Sequence, residues 1–403
     1  MPDVATGVIF GAGSVGRGFI GQLFAESRLE VVFVDVVPQI IDGINRDGCY
    51  PHLTVSNAGR IKTSVGPARA INSEDIQQVI EAVSHADILA TAVGAGALAK
   101  IAEPLARGLA RRHEINRLPV NILLCENLHA AATYMKDQLS LHLEDSICDQ
   151  VLERVGLLET SIGRMIPVPS AELHAIHPAA VSVEPYKYLP FDVAAVKGTL
   201  PKITGLIGDP TVPFSYYTDR KLYLHNLGHC LCAYLGELNR DTYIADAINQ
   251  PAIRNPVRSA MLESAVALAV KYGRPIGGLI DHADNLLARF GNHGLRDTVE
   301  RVGRDPERKL APGDRFLGAY ALAVETGTPR RYLSLALAYG LNKLRLVKDW
   351  TVEETIRHLV RVAPETTADQ DTIRSYLLAL KKQAGPQELV GLIDEEMMVA
   401  DLV

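Results

Sequence analysis

A short run in the middle of the chain combines a potential proton acceptor with further hydrogen-bonding side chains. It reads Lys221-Leu-Tyr-Leu-His-Asn226-Leu-Gly-His229 and is otherwise largely apolar. Removal of a hydride from a secondary alcohol leaves negative charge on the alcohol oxygen as the hydroxyl proton departs. A site for this chemistry must accept the proton and stabilise the oxygen. The run therefore predicts the catalytic part of a dehydrogenase that uses no metal.

The spacing of these side chains suits a helix that begins just before them, with Thr218 or Asp219 as its cap. Asn226 and His229 would then share one face, and Lys221 would lie near that face two turns earlier. A lysine titrates at about 10.4, so a lysine base needs a buried pocket that lowers its pKa. Taken singly, Lys221 is more typical of an exposed helical position, and His229 fits a core histidine equally well.

Zinc binding is the alternative for this run, because His225 and His229 have the spacing of a helical zinc pair. The residues between them lack the glutamate of an H-E-x-x-H motif. We expect His225 to point away from the side that carries Asn226. His174 and His177 form another loose pair without a convincing third ligand. The sequence therefore favours a site without a metal.

Near the N-terminus, a glycine motif follows the first apolar run. Gly11-Ala-Gly13-Ser-Val-Gly16 comes directly after residues 7–10, and a helical segment is expected at residues 17–27. In a turn from strand to helix, the first glycine permits the bend and the second leaves room for a pyrophosphate. The third lets helix and strand pack closely, and the helix N-terminus offers N–H donors. The context predicts a dinucleotide site.

An acidic residue, Asp35, closes the next apolar run. A carboxylate there would accept hydrogen bonds from the ribose hydroxyls and repel a 2′-phosphate, which favours NAD over NADP. The alternative is that Asp35 merely begins a turn. Small residues at 91–96 would lie along the same edge, where ordinary packing explains them equally well. The residues expected to contact NAD are Gly11, Gly13, Ser14, Val15, Gly16, Asp35, Thr91 and Val93.

The apolar pattern predicts an α/β N-terminal domain with a doubly wound, Rossmann-type parallel sheet. Four short apolar runs have the length of buried strands, and the segments between them are long enough for crossover helices. These runs are residues 7–10, 31–34, 88–93 and 120–125.

The rest of the chain predicts a mostly α-helical C-terminal domain. Residues 167–217, rich in proline and aromatic side chains, suit short strands and turns between the domains. Beyond them, apolar residues recur at helical spacing, and Thr351-Val-Glu-Glu354 has the form of a capping box. We place the NAD-binding domain at residues 1–195 and the catalytic domain at 196–403. Helices are expected at residues 258–272, 316–326, 332–341 and 372–383.

Composition narrows the classes of partner. With 403 residues, a net charge of −6 and a pI near 6.1, the chain has no general attraction for nucleic acid or anionic lipid, so its partner is expected to be a small molecule. Five scattered cysteines without a C-x-x-C pair suit a reducing compartment. The N-terminus has no signal-peptide pattern, and the longest apolar stretch is too short to span a membrane. We expect a cytoplasmic protein without a membrane partner.

Several motifs together resemble the polyol-specific long-chain dehydrogenases, the mannitol dehydrogenase family, and within it the mannitol-1-phosphate 5-dehydrogenase branch. They occur in the family's order over about residues 7–320 and are far more specific than the glycine motif alone. The motifs are Gly11-Ala-Gly-Ser-Val-Gly-Arg-Gly-Phe19, Cys125-Glu-Asn127, Val183-Glu-Pro-Tyr186, Lys221-x4-Asn226-x2-His229 with Ala233-Tyr-Leu-Gly236, and Arg301-Val-Gly-Arg-Asp-Pro-Glu-Arg-Lys-Leu310.

The resemblance implies roles for four residues. Lys221 would be the general base, Asn127 and Asn226 would form an oxyanion hole, and His229 would help to hold the substrate. Asn127 also follows an expected strand, at the edge where ligands bind in such folds, although a turn or helix cap explains it as well. The resemblance further implies NAD as cofactor and favours a monomer.

The phosphate branch implies a substrate such as D-mannitol 1-phosphate or D-fructose 6-phosphate. Arginine is well suited to phosphate, and Arg304 and Arg308 lie in a stretch dense in cations. An exposed helix face paired with nearby carboxylates is an equal alternative. Arg289 and Asn292 resemble a further family motif near the substrate. A hexuronate reductase, an unphosphorylated polyol dehydrogenase and a catalytically silent dinucleotide sensor remain the alternative functions.

Overall fold

The computed structural model describes residues 4–117, 119–167, 169 and 171–400. The chain divides into two compact units, Met1–Phe214 and Ser215–Val403, which we call the N-terminal unit and the C-terminal unit. The first is built on a parallel sheet and the second is helical, which confirms the predicted fold class.

A parallel sheet of six strands lies at the centre of the N-terminal unit. The strands of this unit are β1 Thr6–Phe10, β2 Glu30–Asp35, β3 Tyr50–Ser56, β4 Gly59–Val65, β5 Ala68–Asn72, β6 Ile88–Thr91, β7 Val120–Leu124, β8 Val155–Glu159, β9 Val181–Val183, β10 Leu189–Pro190 and β11 Leu206–Ile207. The main sheet has the order β5-β2-β1-β6-β7-β8, so the strand order reverses between β1 and β6. All four strands predicted from the apolar runs are present, as β1, β2, β6 and β7.

Helices cover both faces of this sheet, which is why its strands are continuous apolar runs. Val8 and Phe10 pack into the core on one face, and Ile9 packs into the core on the other. The helices of this unit are α1 Gly21–Glu26, α2 Pro38–Asp47, α3 Ile76–His85, α4 Leu98–Glu114, α5 Ala131–Ser140, α6 Cys148–Leu152 and α7 Ala171–Ile176. A π-helical segment, Gly16–Ile20, leads into α1.

Two small sheets complete the unit. β3 and β4 form an antiparallel hairpin that β9 extends, and β10 pairs with β11. The sequence did not indicate the hairpin, because β4 is exposed along most of its length and carries no apolar run. The stretch rich in proline and aromatic residues supplies β9 to β11.

The C-terminal unit is helical. Its helices are α8 Ser215–Arg220, α9 Leu227–Leu238, α10 Ile244–Ile248, α11 Pro251–Tyr272, α12 Gly277–Phe290, α13 Val299–Gly303, α14 Pro306–Lys309, α15 Leu317–Thr326, α16 Arg331–Lys348, α17 Val352–Val362, α18 Gln370–Lys381 and α19 Pro386–Ala400. The expected capping box is confirmed: Thr351 and Glu354 each accept the other's backbone N–H. Among the helices of the described residues, none is both long and apolar enough to cross a membrane.

One expectation about a helix start is wrong. Neither Thr218 nor Asp219 caps the helix that carries Lys221, because α8 already begins at Ser215. Asp219 instead accepts hydrogen bonds from Lys271 and Tyr272 on α11. The catalytic run therefore lies inside a longer helix and not on its first turn.

Candidate active site

The glycine motif forms a tight turn at the carboxyl end of β1. Gly11 has a φ of +98°, which side chains disfavour, and its N–H donates to the carbonyl of Val34. A Cβ on Gly16 would lie 1.9 Å from the carbonyl oxygen of Gly11, so turn and helix pack too closely for a side chain. A Cβ on Gly13 would meet no heavy atom of the described residues within 4 Å. The open space at Gly13 fits a pyrophosphate.

The other predicted NAD contacts of this unit lie along the same edge of the sheet. Asp35 ends β2, Val93 follows β6, and the predicted oxyanion-hole residue Asn127 follows β7. Ser14 and Val15 are half-buried and follow Gly13 directly. In doubly wound folds, ligands bind outside the carboxyl ends of the strands where the strand order reverses. The N-terminal unit therefore brings its predicted residues to the expected edge.

The carboxylate of Asp35 organises two turns. One oxygen accepts the N–H of Ala12 at 2.5 Å, and the other accepts those of Val36 and Val37 at 2.8 and 2.9 Å. A carboxylate has about four acceptor positions, so one remains for a ribose hydroxyl. The turn-forming alternative and the ribose role are thus compatible.

Glu126 connects two loops of the edge and was not singled out from the sequence. Its carboxylate accepts the N–H groups of Val93 and Gly94 at 2.9 and 2.8 Å. Burial raises the pKa of Glu126, and these hydrogen bonds oppose the rise. Thr91 is fully buried, which agrees with the packing interpretation, whereas Asn127 is exposed. The Cys125-Glu-Asn127 motif was the only signal in the sequence for Glu126.

In the C-terminal unit, the catalytic run folds as a π-helical segment. Lys221–Asn226 is π-helical, and α8 and α9 flank it without a break. The i to i+5 spacing of a π-helix makes Lys221 and Asn226 neighbours one turn apart. Such segments occur frequently at functional sites. The π-helical turn thus replaces the α-helical spacing that we expected for Lys221.

Lys221 has the electrostatics that a lysine base requires. Its side chain is half-buried, and burial lowers its pKa to about 8, with a further contribution from the positive charge of Arg315. At this pKa roughly a tenth of the amine is uncharged at pH 7 and able to accept a proton, against a negligible fraction for an ordinary lysine.

His229 is held by Asp297 and Phe290, and Arg301 binds the same carboxylate. Its Nε2 lies 3.0 Å from Oδ2 of Asp297, and its ring stacks on Phe290 with centroids 4.9 Å apart. Arg301 lies 2.6 Å from the other oxygen of Asp297. Burial alone would raise the pKa of Asp297, but His229 and Arg301 outweigh it and lower that pKa. Asp297 was not predicted from the sequence, where it is an isolated acid five residues after Asn292.

His225 and His282 are two further histidines of the C-terminal unit, and the charge of His282 acts on His225. Burial, followed by the charge of Arg289, lowers the pKa of His225 well below its usual range. Burial also lowers the pKa of His282 to about 3. The ring of His225 lies 5.9 Å from that of His229, as expected for an i, i+4 pair on a helix. In the part of the chain that the structure describes, no group of three or more metal-ligating side chains occurs.

The predicted substrate residues fall into two groups. Arg289 lies on the last turn of α12 and directly precedes Phe290, whose ring stacks on that of His229. Asn292 is buried and caps a 3₁₀ turn by accepting the N–H of Gly294 at 3.0 Å. Arg304 and Arg308 are exposed. Each forms an ion pair, Arg304 with Glu300 at 3.4 Å and Arg308 with Asp305 at 2.7 Å, as the exposed-face alternative implied.

Comparisons with known proteins cover most of the chain. The Mannitol dehydrogenase Rossmann domain matches residues 6–205, and the Mannitol dehydrogenase C-terminal domain matches residues 214–367. The ternary complex of Pseudomonas fluorescens mannitol 2-dehydrogenase with NAD and D-mannitol is 15% identical, with a TM-score of 0.73 over 97% of this chain and 95% of that chain. A substrate-free D-sorbitol dehydrogenase is 16% identical, with a TM-score of 0.73 over 85% and 81%. At such identities the structures show a shared fold.

Proposed function

The chain belongs to the mannitol dehydrogenase family, and from this premise we propose that it interconverts D-mannitol 1-phosphate and D-fructose 6-phosphate with NAD as cofactor. The observation that carries this proposal is the environment of Lys221. The amine is partly uncharged at neutral pH, and the nearby charges of Arg289 and Arg315 suit an anionic substrate in a chain of negative net charge.

The proposed mechanism assigns one task to each polar group. In oxidation, uncharged Lys221 accepts the hydroxyl proton, and in reduction the protonated amine returns it. The amides of Asn127 and Asn226 stabilise the forming alkoxide. His229, oriented by Asp297, donates a hydrogen bond to the substrate. NAD supplies the hydride acceptor when it is bound.

NAD fits the N-terminal unit for two reasons. The turn at Gly13 leaves space for a pyrophosphate beside backbone N–H groups, and the family assignment to a Rossmann domain supports the same cofactor. Asp35 keeps one acceptor position for a ribose hydroxyl and would repel a 2′-phosphate.

The test is a comparison of substrates. Oxidation of NADH and of NADPH would be followed with fructose 6-phosphate, fructose, fructuronate and tagaturonate. We expect the highest kcat/KM with fructose 6-phosphate and NADH. A strong preference for fructuronate or tagaturonate would instead identify a hexuronate reductase, and a preference for fructose an unphosphorylated polyol dehydrogenase.

The unphosphorylated polyol is the second candidate substrate. Both similar solved structures carry names of enzymes for unphosphorylated polyols, and one was solved with D-mannitol. A dinucleotide sensor is a third candidate. Protein that binds NADH but reduces none of the four compounds would favour it.

A further inference from the structure

Glu126 is a buried carboxylate at the edge of the main sheet where the cofactor is expected. It follows the end of β7, and its relative exposure is only 6%. Oε1 accepts the N–H of Val93 at 2.9 Å, and Oε2 accepts that of Gly94 at 2.8 Å, both in the loop that follows β6. The carboxylate therefore lies between the carboxyl ends of β6 and β7.

The charge of this carboxylate is not offset by a cation. Among the residues that the structure describes, no lysine, arginine or histidine forms an ion pair with Glu126. Both of its oxygens act as acceptors, which favours the ionised form. A buried charge without a counterion is costly, and little water screens its effect on other charges. A cationic group bound at this edge would therefore be stabilised.

The loop that Glu126 holds is bare on its open side. Gly94 has a φ of +85°, a conformation that side chains disfavour. A Cβ on Gly94 or on Gly96 would find no heavy atom of the described chain within 4 Å. As at Gly13, the missing side chains leave space beside the backbone. A ligand can therefore approach this loop closely, and with it the carboxylate of Glu126.

The strand order indicates which end of the cofactor reaches this loop. Asp35 at the end of β2 suits the adenosine ribose, and the turn at Gly13 after β1 suits the pyrophosphate. The sheet continues from β1 to β6 and β7, each strand about 4.8 Å from the next. A dinucleotide bound at β2 and β1 therefore extends its nicotinamide half over β6 and β7, next to Glu126.

We propose that Glu126 makes the cofactor site discriminate between the two redox forms of NAD. The nicotinamide ring of NAD⁺ carries one positive charge, which hydride transfer removes in NADH, and the rest of the molecule is the same in both forms. The carboxylate attracts the charged ring and not the neutral one, so it raises the affinity for NAD⁺ relative to that for NADH. The inference rests on the proposed function only through NAD as the cofactor.

A purely structural role for Glu126 predicts a different result. If the carboxylate only fastened the loop, its removal would weaken the binding of both redox forms alike. The quantity that separates the two roles is therefore the ratio of the Kd of NAD⁺ to the Kd of NADH, and neither affinity alone.

Isothermal titration calorimetry of the whole chain, without any sugar, would measure both Kd values. Glu126→Gln removes the charge, so it should raise the Kd of NAD⁺ about tenfold more than that of NADH. Glu126→Asp keeps the charge and should keep the ratio within about threefold of the wild type. ADP-ribose lacks the nicotinamide ring, so its Kd in Glu126→Gln should change by the same factor as that of NADH.

Asp87→Asn is the matched control. Asp87 also accepts a backbone N–H, that of Thr6 at 2.7 Å, but it precedes β6 and lies at the opposite, amino-terminal edge of the sheet. Its substitution should leave the ratio within about twofold of the wild type. Should Glu126→Gln be unfolded at the assay temperature, judged by its Tm, Glu126→Ser replaces it, because serine is neutral and its hydroxyl accepts a backbone N–H.

The outcomes separate this inference from the proposed function. An equal rise of both Kd values in Glu126→Gln would overturn the inference and leave Glu126 as a residue that only fastens the loop. A change of the ratio in Glu126→Asp or in Asp87→Asn as large as that in Glu126→Gln would also overturn it. The titrations contain no sugar, so a wild type that prefers fructose to fructose 6-phosphate would overturn the proposed substrate and leave this inference standing.

Discussion

The two units build their candidate sites from different groups. The N-terminal unit presents backbone, in the bare turn at Gly13 and the N–H groups that follow it. The C-terminal unit presents side chains, namely Lys221, Asn226 and His229 on one long helix. A backbone site depends on φ angles and missing Cβ atoms. A side-chain site depends on what surrounds each group, and this makes the second site far more sensitive to distant residues.

The charged side chains at the two candidate sites also differ. Carboxylates organise the edge of the sheet, through Asp35 and Glu126. In the C-terminal unit, the charges of Arg289 and Arg315 act on His225 and Lys221, and Asp297 pairs with His229. Carboxylates suit ribose hydroxyls, whereas cations suit a substrate that carries an anion. The contrast agrees with the proposed division, in which the N-terminal unit binds NAD and the C-terminal unit binds an anionic substrate.

Removal of the base should have the largest effect. Lys221→Ala should lower kcat by about 10²- to 10⁴-fold, since it removes the proton acceptor, while the affinity for NADH stays close to that of the wild type. Stopped-flow turnover and NADH fluorescence titration measure the two quantities. Lys343→Ala, at a lysine paired with Glu237, is the control and should be nearly neutral. If Lys221→Ala turned over substrate as fast as the wild type, the assignment of the proton acceptor to the C-terminal unit would be rejected.

A change in the glycine turn should separate cofactor binding from folding. Gly13→Ala has room within the protein but occupies the space for the pyrophosphate, so we expect the Kd of NADH to rise about tenfold or more at unchanged Tm. Gly16→Ala is the contrasting variant. Its Cβ would clash with the carbonyl of Gly11, so its Tm should fall as well. Wild-type affinity for NADH in Gly13→Ala would contradict the backbone site.

A substitution of Asp297, the acid that pairs with His229, tests how far the candidate site of the C-terminal unit depends on neighbouring residues. Asp297→Asn should lower kcat/KM for the sugar about tenfold, because His229 and Arg301 lose their shared anion, with little change in the affinity for NADH. The control is Asp284→Asn, at an acid that pairs with Arg258 in the same unit. Equal effects of both substitutions would reduce the role of Asp297 to general stability.

The pH dependence offers the finest test. Oxidation requires uncharged Lys221, so kcat/KM for the polyol should rise with pH and level off above a pKa of about 8, whereas kcat/KM for the ketose should fall above it. Arg315→Gln removes a like charge that disfavours the protonated amine. Both profiles should therefore move to higher pH by a fraction of a unit. If the profiles moved to lower pH, or did not move, the charge of Arg315 would not act on Lys221 as proposed.

Much of the N-terminal unit follows from the sequence. The apolar runs predicted β1, β2, β6 and β7, and the glycine spacing predicted which positions must lack a side chain. These features depend on neighbouring residues, because a strand buried on both faces needs a continuous apolar run and a tight turn needs glycine. The hairpin of β3 and β4 escaped prediction, since its exposed residues leave no such pattern.

The amino-acid order by itself determined that Lys221, Asn226 and His229 share one helix. Only the tertiary structure decided that a π-helical turn makes Lys221 and Asn226 neighbours, that burial shifts the pKa of Lys221, and that Asp297 supports His229. It also decided that Arg304 pairs with Glu300 on an exposed face. The reason is physical: desolvation and Coulomb interactions depend on which groups the fold packs together, and residues distant in sequence supply most of them.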